Sequence, residues 1–451
     1  MTAAGLAPVA ARARIDVLDI LRGIAILGIF YMNIPFMGQA PFAFFADVRS
    51  IGWTGADQIT WSVTEVLLEG TQRCLLEFLF GAGMMVLAAR AMVPDGPVAI
   101  ADLYLRRNLW LLAFGLFDVF VLLWPGDILL IYALAALLLF PFRKLAAPWL
   151  VAIGLLFASF TAVAGGIEYV DRTALQAKVE IARAHQKANQ PLTTADKDAL
   201  AKWQEKADKR KPDAEMQKLA EQDRKARTAG ASLTSYASNL WSIWFWFVGQ
   251  GGVVAEVAEA FSAMLIGIAL WKWRIIQGGR SAGFYAVLTL AAYGFGLTAR
   301  WIGLGEVLAF APIPKTIWFT EEFARLATGL GHLALVNLVV KTAGGRAVLA
   351  PFKAAGRMAF SLYFLQQIIG GFVLFAPFAL GLWGKFGWAE LAAIATAVII
   401  FELILANLYM RVFVAGPLEW LWRSLAYVRW QPLLRRATPG AHADHGGAAI
   451  A

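Results

Sequence analysis

"RIDVLDILRGIAILGIFYMN", residues 14–33, decides what kind of chain this is. Its first nine residues hold two arginines and two aspartates, and the remainder is almost wholly apolar up to Asn33. The apolar run is continuous, not alternating, which favours a helix over a half-buried strand. A helix that crosses a hydrocarbon core of about 30 Å needs roughly 20 such residues. The rest of the chain has the same character. Of its 451 residues, 59% are hydrophobic and only 16% are charged, whereas soluble domains sit near ~45–50% and ~25%. Backbone groups left unpaired in lipid cost several kcal/mol, so spanning segments are helices or closed barrels, and continuous runs select helices. The fold class expected is all-α, a polytopic membrane protein.

Ten spans can be drawn, near 17–38, 74–92, 108–124, 128–142, 147–168, 252–272, 282–302, 318–341, 358–377 and 388–410. Arg12 and Arg14 ahead of the first run imitate a signal peptide, but no small-residue cleavage site follows, so the run is read as a retained span. Basic residues set the orientation. With Arg12 and Arg14 in the cytoplasm, so are Arg90, Arg106, Arg107, Arg143, Lys144, Lys272, Arg274, Arg280, Lys341, Arg346, Lys353 and Arg357. The opposite short loops hold Arg49, Arg73, Lys315 and Lys385. This asymmetry places both termini in the cytoplasm. The chain divides into 1–170 with the first five spans, a helical extracytoplasmic insertion at 171–236, 237–430 with the last five spans and an amphipathic helix, and a disordered tail at 431–451.

The insertion is rich in Ala, Lys, Glu and Gln, all helix formers, and reads as a solvated helical hairpin. Its acids are interleaved with its bases, so the formal net charge of +9 is no sign of nucleic-acid binding. One cysteine, Cys74, excludes an internal disulfide, and four histidines without helical ligand spacing leave no metal site to propose. The lipid bilayer is the partner the composition demands, and a homo-oligomer stays open.

Each helical residue turns 100°, so Arg22 and Asn33 differ by about 20° and Asp19 and Asn33 by about 40°: all three share a face. Two readings of that face compete. It could be an interfacial ion pair plus an interhelical hydrogen bond, or it could line a protein-enclosed path, the default meaning of polar groups inside membranes. Asp127 follows Gly126 at an extracytoplasmic turn and suits a helix cap; near Asn33 it would also serve as a base. Gln366 and Gln367 fall at mid-membrane but point about 100° apart, and Gln366 is the one expected to face inward. His332 is the residue suited to proton handling near neutral pH. Glu65, Glu69, Arg73 and Glu77 recur at i,i+4 and read as a solvated or self-paired helix face, with Glu77 deepest and in need of a partner.

"LDILRGIAILGIFYMN" resembles the opening of the YeiB-like family of bacterial membrane proteins. "FLFGAG" at 78–83, "RRNLWLLAFGLFDVFVLLWPGDILLIYAL" at 106–134, "GRMAFSLYFLQQII" at 356–369 and "GPLEWLWR" at 416–423 are similar to that family's later motifs and come in the same order. The resemblance implies a distant likeness to transmembrane acyltransferases, including the lysosomal enzyme that acetylates heparan glucosamine. It therefore implies acyl-CoA on the cytoplasmic side and a glycan or small-molecule acceptor outside. Asp19, Arg22, Arg106 and Arg107 would hold the CoA phosphates; Asn33, Asp127 and His332 would do the chemistry; Gln366 and Glu77 would line the path. That enzyme's histidine after the first span has no counterpart here, since the first histidine is His185. The rival functions are a small-solute transporter or channel and a non-catalytic scaffold. The localisation implied is the bacterial inner membrane.

The orientation has a direct check. Cysteines introduced within 171–230 are expected to react with a membrane-impermeant thiol reagent in intact cells, and cysteines near Arg346 are not. The reverse labelling would put Arg22 on the wrong side for cytosolic CoA.

Overall fold

The computed structural model describes residues 15–88, 99–208 and 214–435. Arg12, Arg14, Arg90 and the tail beyond residue 435 lie outside the described residues. Among these residues the chain is all-helical, with one isolated bridge, Phe413 to Leu434, in place of any sheet. In chain order the helices are α1 Asp16–Gly38, α2 Pro41–Ala46, α3 Gly55–Leu67, α4 Thr71–Ala88, α5 Ala99–Phe120, α6 Ile128–Leu139, α7 Ala147–Gly154, α8 Leu156–Lys187, α9 Thr194–Asp208, α10 Ala214–Arg227, α11 Leu233–Gly249, α12 Gly252–Lys272, α13 Ala282–Leu308, α14 Ile317–Val339, α15 Ala343–Arg357, α16 Ala359–Gln367, α17 Trp388–Val412 and α18 Pro417–Tyr427.

Five stretches are long and apolar enough to cross a membrane: α1, α7 with α8, α12, α13 and α17. A sixth is added if α14 and α15, bent by 120°, count as one. Burial sorts them into centre and rim. In α1 and α12, 61% and 56% of the apolar window is buried, against 17% in α7 with α8 and 22% in each of α13 and α17. The rim helices turn Phe160, Val163, Leu290, Trp301, Phe401 and Ile404 outward, as lipid contact requires.

Glycines set the tightest crossings. A Cβ on Gly23 of α1 would sit 2.1 Å from the Phe352 carbonyl oxygen, and one on Gly356 at the end of α15 would sit 1.7 Å from the Asp19 carbonyl oxygen. Likewise, Gly81 of α4 and Gly267 of α12 each face the other's backbone, with Cβ positions 2.0 Å from Met264 O and 2.3 Å from Phe78 O. Small residues at such points let helices approach where no hydrophobic force drives them together.

A buried ionic knot ties the second half of the chain to the first. Arg325 of α14 reaches Glu77 of α4 at 2.9 Å, Glu259 of α12 at 3.2 Å and Glu322 at 2.7 Å. Arg73 of α4 reaches Glu256 at 3.0 Å and Glu259 at 2.8 Å. The Glu65-to-Glu77 stripe is therefore not a solvated or self-paired face. The helix breaks between Leu67 and Thr71, where Gly70 takes a positive φ of 67°, and Arg73 and Glu77 pair across helices. The freed carbonyls of Glu65, Val66 and Glu69 receive Arg300 of α13 at 2.6, 2.9 and 2.7 Å.

Two expected elements differ from the drawn spans. The fifth is kinked at Leu155, and α8 then continues unbroken for 32 residues into the insertion. The stretch 343–357, read as loop, forms α15, packed across α1 with Lys353 on Asp16 at 2.7 Å. The insertion docks on the bundle: Arg227 of α10 donates to the Met37 carbonyl at the end of α1 and to Asp223. His185 of α8 pairs with Asp196 at the start of α9. The Thr193 hydroxyl and then His185 hold the Asp196 carboxylate below its ordinary range.

Three substitutions separate these constraints. Gly356→Val is expected to lower stability by at least about 2 kcal/mol through overpacking, while Gly166→Ala, whose Cβ would meet nothing within 4 Å, is expected to be neutral or mildly stabilising. Arg325→Met, which strands several buried carboxylates, is expected to cost about 3–5 kcal/mol. Thermal unfolding in lipid nanodiscs reads all three, and an Arg325→Met protein as stable as the parent would mean the knot does not hold the helices.

Candidate functional site

A cavity of about 360 Å³ opens among α1, α4, α5, α6, α16 and α18. The break between α15 and α16 shapes one end. There Arg357 donates to the Val414 carbonyl at 2.6 Å. Glu419 of α18 accepts from the Phe360 and Ser361 backbone N–H groups at 2.7 and 3.3 Å and from the Ser361 hydroxyl. The carboxylate thus caps the start of α16, where the exposed N–H groups and helix dipole favour negative charge.

That end is rich in arginine. Arg22, Arg107, Arg357 and Arg423 line the cavity, against the carboxylates of Asp19 and Glu419. Arg22 meets Asp19 at 2.9 Å and the Gly356 carbonyl at 3.5 Å. The Gly23–Gly356 crossing is what brings the start of α1 so close. Arg107 lies over the Trp422 ring at 4.3 Å, and that indole N–H donates to the Arg107 carbonyl at 2.8 Å. Planar guanidinium groups suit bidentate capture of phosphate or carboxylate.

Toward the other end the lining becomes apolar, then meets Tyr132 and Tyr363. The Tyr363 hydroxyl accepts from the Ile128 N–H at 3.2 Å and donates toward Asp127 at 3.4 Å. Asp127 caps α6, accepting from Leu129 and Leu130 at 3.0 and 2.7 Å. Arg107 and this end are separated by roughly 16 Å along α5, the rise of eleven helical residues from Arg107 to Asp118.

The residues singled out in the sequence fall into three groups. Asp19, Arg22 and Arg107 line the cavity, and Asp127 stands beside Tyr363 at its far end. Asn33 is not among the lining residues; its Nδ2 is buried without a partner. Gln366 faces α1 and α17, donating to the Ile26 carbonyl at 3.2 Å and to the buried Glu402 at 2.9 Å. The remaining three sit elsewhere. Arg106 pairs with Asp102 at 2.7 Å. Glu77 belongs to the ionic knot. His332 bonds Tyr293 through Nδ1 at 2.6 Å and the Leu67 carbonyl through Nε2 at 2.9 Å, closing the end of α3. Sequence reasoning missed Asp118, Tyr363, Glu402, Glu419, Arg357 and Arg423. For Asp118 the signal was present: a lone acid inside an apolar span. No group of residues suited to hold a metal occurs among the described residues.

Residues 270–429 match the family model described as "Protein of unknown function (DUF418)". Over the whole chain, the uncharacterised protein YxaH of Bacillus subtilis is 30% identical, the match covering 96% of this chain and 98% of that one. The uncharacterised protein YeiB of Escherichia coli is 25% identical, covering 90% and 95% respectively. No solved structure matches. The full-length likeness to YxaH, together with the family match on the segment from α12 to α18, shows that the chain belongs to the YeiB-like DUF418 family of bacterial proteins of unknown function.

Proposed function

We propose that the protein transfers an acyl group across the bacterial inner membrane, from cytosolic acyl-CoA to an extracytoplasmic acceptor. The observation that carries this reading is the cavity that begins among four arginines and ends at Tyr363 beside Asp127. The arginine end suits the phosphates of CoA. The apolar middle excludes water from a thioester, and the far end offers carboxyl and phenol groups for proton transfer.

Ten spans fit the helices: α1, α4, α5, α6, α7 with α8, α12, α13, α14, α16 with its following π turn, and α17. In this reading both chain ends and the arginine end of the cavity are cytoplasmic, and α9 and α10 lie outside. The basic residues of the 341–357 and 411–435 segments agree with that orientation.

Thermal unfolding in nanodiscs tests the donor. CoA at about 100 times its dissociation constant should raise stability by about 2.7 kcal/mol. Arg22→Ala and Arg423→Ala are each expected to reduce that gain, and Arg106→Ala is expected to leave it unchanged. Should neither CoA nor acetyl-CoA stabilise the wild-type protein at millimolar concentration, the acyltransferase reading falls.

A further inference from the structure

Behind Tyr363, which lines the far end of the cavity, the protein leaves several buried polar atoms unsatisfied. Asp118 of α5 is fully buried, and neither of its oxygens has a donor in good hydrogen-bond geometry. Its polar neighbours are the Asp127 carboxyl and the Tyr363 hydroxyl. The Trp124 indole N–H is also buried; the same hydroxyl is its neighbour, but it has no acceptor in good hydrogen-bond geometry. Gln367 lies one turn beyond Tyr363 on the same face of α16, 1% exposed, with both amide atoms unpartnered. Unpaired buried groups of this kind each cost about 1–3 kcal/mol, so their gathering around the cavity-lining Tyr363 calls for a ligand.

The mixture of groups selects the ligand's chemistry. Trp124 Nε1 and Gln367 Nε2 are donors; the Asp118 oxygens and Gln367 Oε1 are acceptors. A cation would leave the donors unpaired, and an anion would face two carboxyl groups. A neutral molecule with hydroxyls, which both donate and accept, answers all of them.

The two aspartates are not equivalent. Both oxygens of Asp127 are taken by the backbone N–H groups of Leu129 and Leu130, whereas those of Asp118 receive no backbone donor and meet none in good geometry. We propose that Asp118, Trp124, Tyr363 and Gln367 form the binding site for a neutral, hydroxyl-bearing acceptor such as a sugar, and that Asp118 takes the proton of the reacting hydroxyl. The role rests on the acyl-transfer reading above. In the step, the hydroxyl oxygen adds to the thioester carbonyl carbon and the carbon–sulfur bond breaks. The O–H electron pair stays on oxygen, and the proton passes to Asp118 and then to the departing thiolate, giving ester and free CoA thiol.

The test uses the full chain in nanodiscs, labelled with dicyclohexylcarbodiimide and mapped by peptide mass spectrometry. Asp118 is expected to carry the label, with Asp127 labelled at least about tenfold less because its oxygens are already bonded. Glucose at about 1 M is expected to slow the labelling about threefold by occupying the site. Asp118→Asn is expected to keep the stabilisation by CoA while acetyl transfer to glucose falls at least about a hundredfold. Absence of label at Asp118, or labelling indifferent to glucose, overturns the acceptor site even if the variant folds poorly, and leaves the CoA reading standing. A wild-type protein that binds CoA but passes no acetyl group to glucose overturns the hydroxyl assignment, and one that does not bind CoA overturns the donor reading instead.

Discussion

Arg325 faces three carboxylates from three helices, and the arrangement of the bundle follows from that. A buried guanidinium stripped of water is tolerable only when opposite charge and good geometry surround it. Glu77, Glu259 and Glu322 supply both, so α4, α12 and α14 must meet at one point. Arg73 extends the network by sharing Glu259 and adding Glu256. Once α4 is held there, the Gly81–Gly267 contact fixes how α4 crosses α12. The short break before α4 then needs Arg300 and His332 to receive the carbonyls it frees. Polar groups that looked from the sequence like independent features are parts of one electrostatic arrangement.

The cavity depends on a second constraint, the close approach of α1 and α15. Without side chains at Gly23 and Gly356, the start of α1 can lie against the α15–α16 junction. That approach sets Arg22 beside the Gly356 carbonyl and puts Arg357 on the same opening. The short helix α18 closes the remaining side, with Glu419 on the start of α16 and Trp422 against Arg107. Four arginines from α1, α5, α15 and α18 converge because a cap, a cation–π contact and a glycine crossing each position one wall. Mutual repulsion among the arginines is offset locally by Asp19 and Glu419, which leaves the opening positive rather than neutral.

Much of this is legible in the sequence. The continuous apolar runs of α1, α12 and α17 announce themselves by length and composition, and the helical phase of Asp19 and Arg22 places both on the cavity side. Asp127 as a cap follows from a Gly-Asp turn ahead of an apolar helix. What was hidden has physical causes. The pairing of Glu77 with Arg325 joins residues 248 apart, and no local period encodes that. The i,i+4 spacing from Glu65 to Glu77 suggested one helix face, but Gly70 with its positive φ breaks the helix, so spacing alone misled. The amphipathic α15 carries Pro351 within it and too few apolar residues to register as a span. Asp118, by contrast, was legible as a lone acid in an apolar run, but nothing local to it encodes its neighbours Asp127 and Tyr363.

The polar residues of α1 do not form one continuous stripe. Asp19 and Arg22 face the cavity, where the backbone of Gly356 and the arginines of neighbouring helices give them a protein environment. Seven residues before Asn33, the Ile26 carbonyl is engaged by Gln366, which also holds Glu402 of α17. That contact seals α1 against α16 and α17. The shared angular position of Arg22 and Asn33 is therefore met by two environments at different depths: an open arginine-lined end, and a packed seam with a buried amide. The polar groups at the far end come instead from α5 and α16, as Asp118 and Tyr363. A helix can present one face along its whole length, but its neighbours decide, turn by turn, whether that face meets a cavity or another helix.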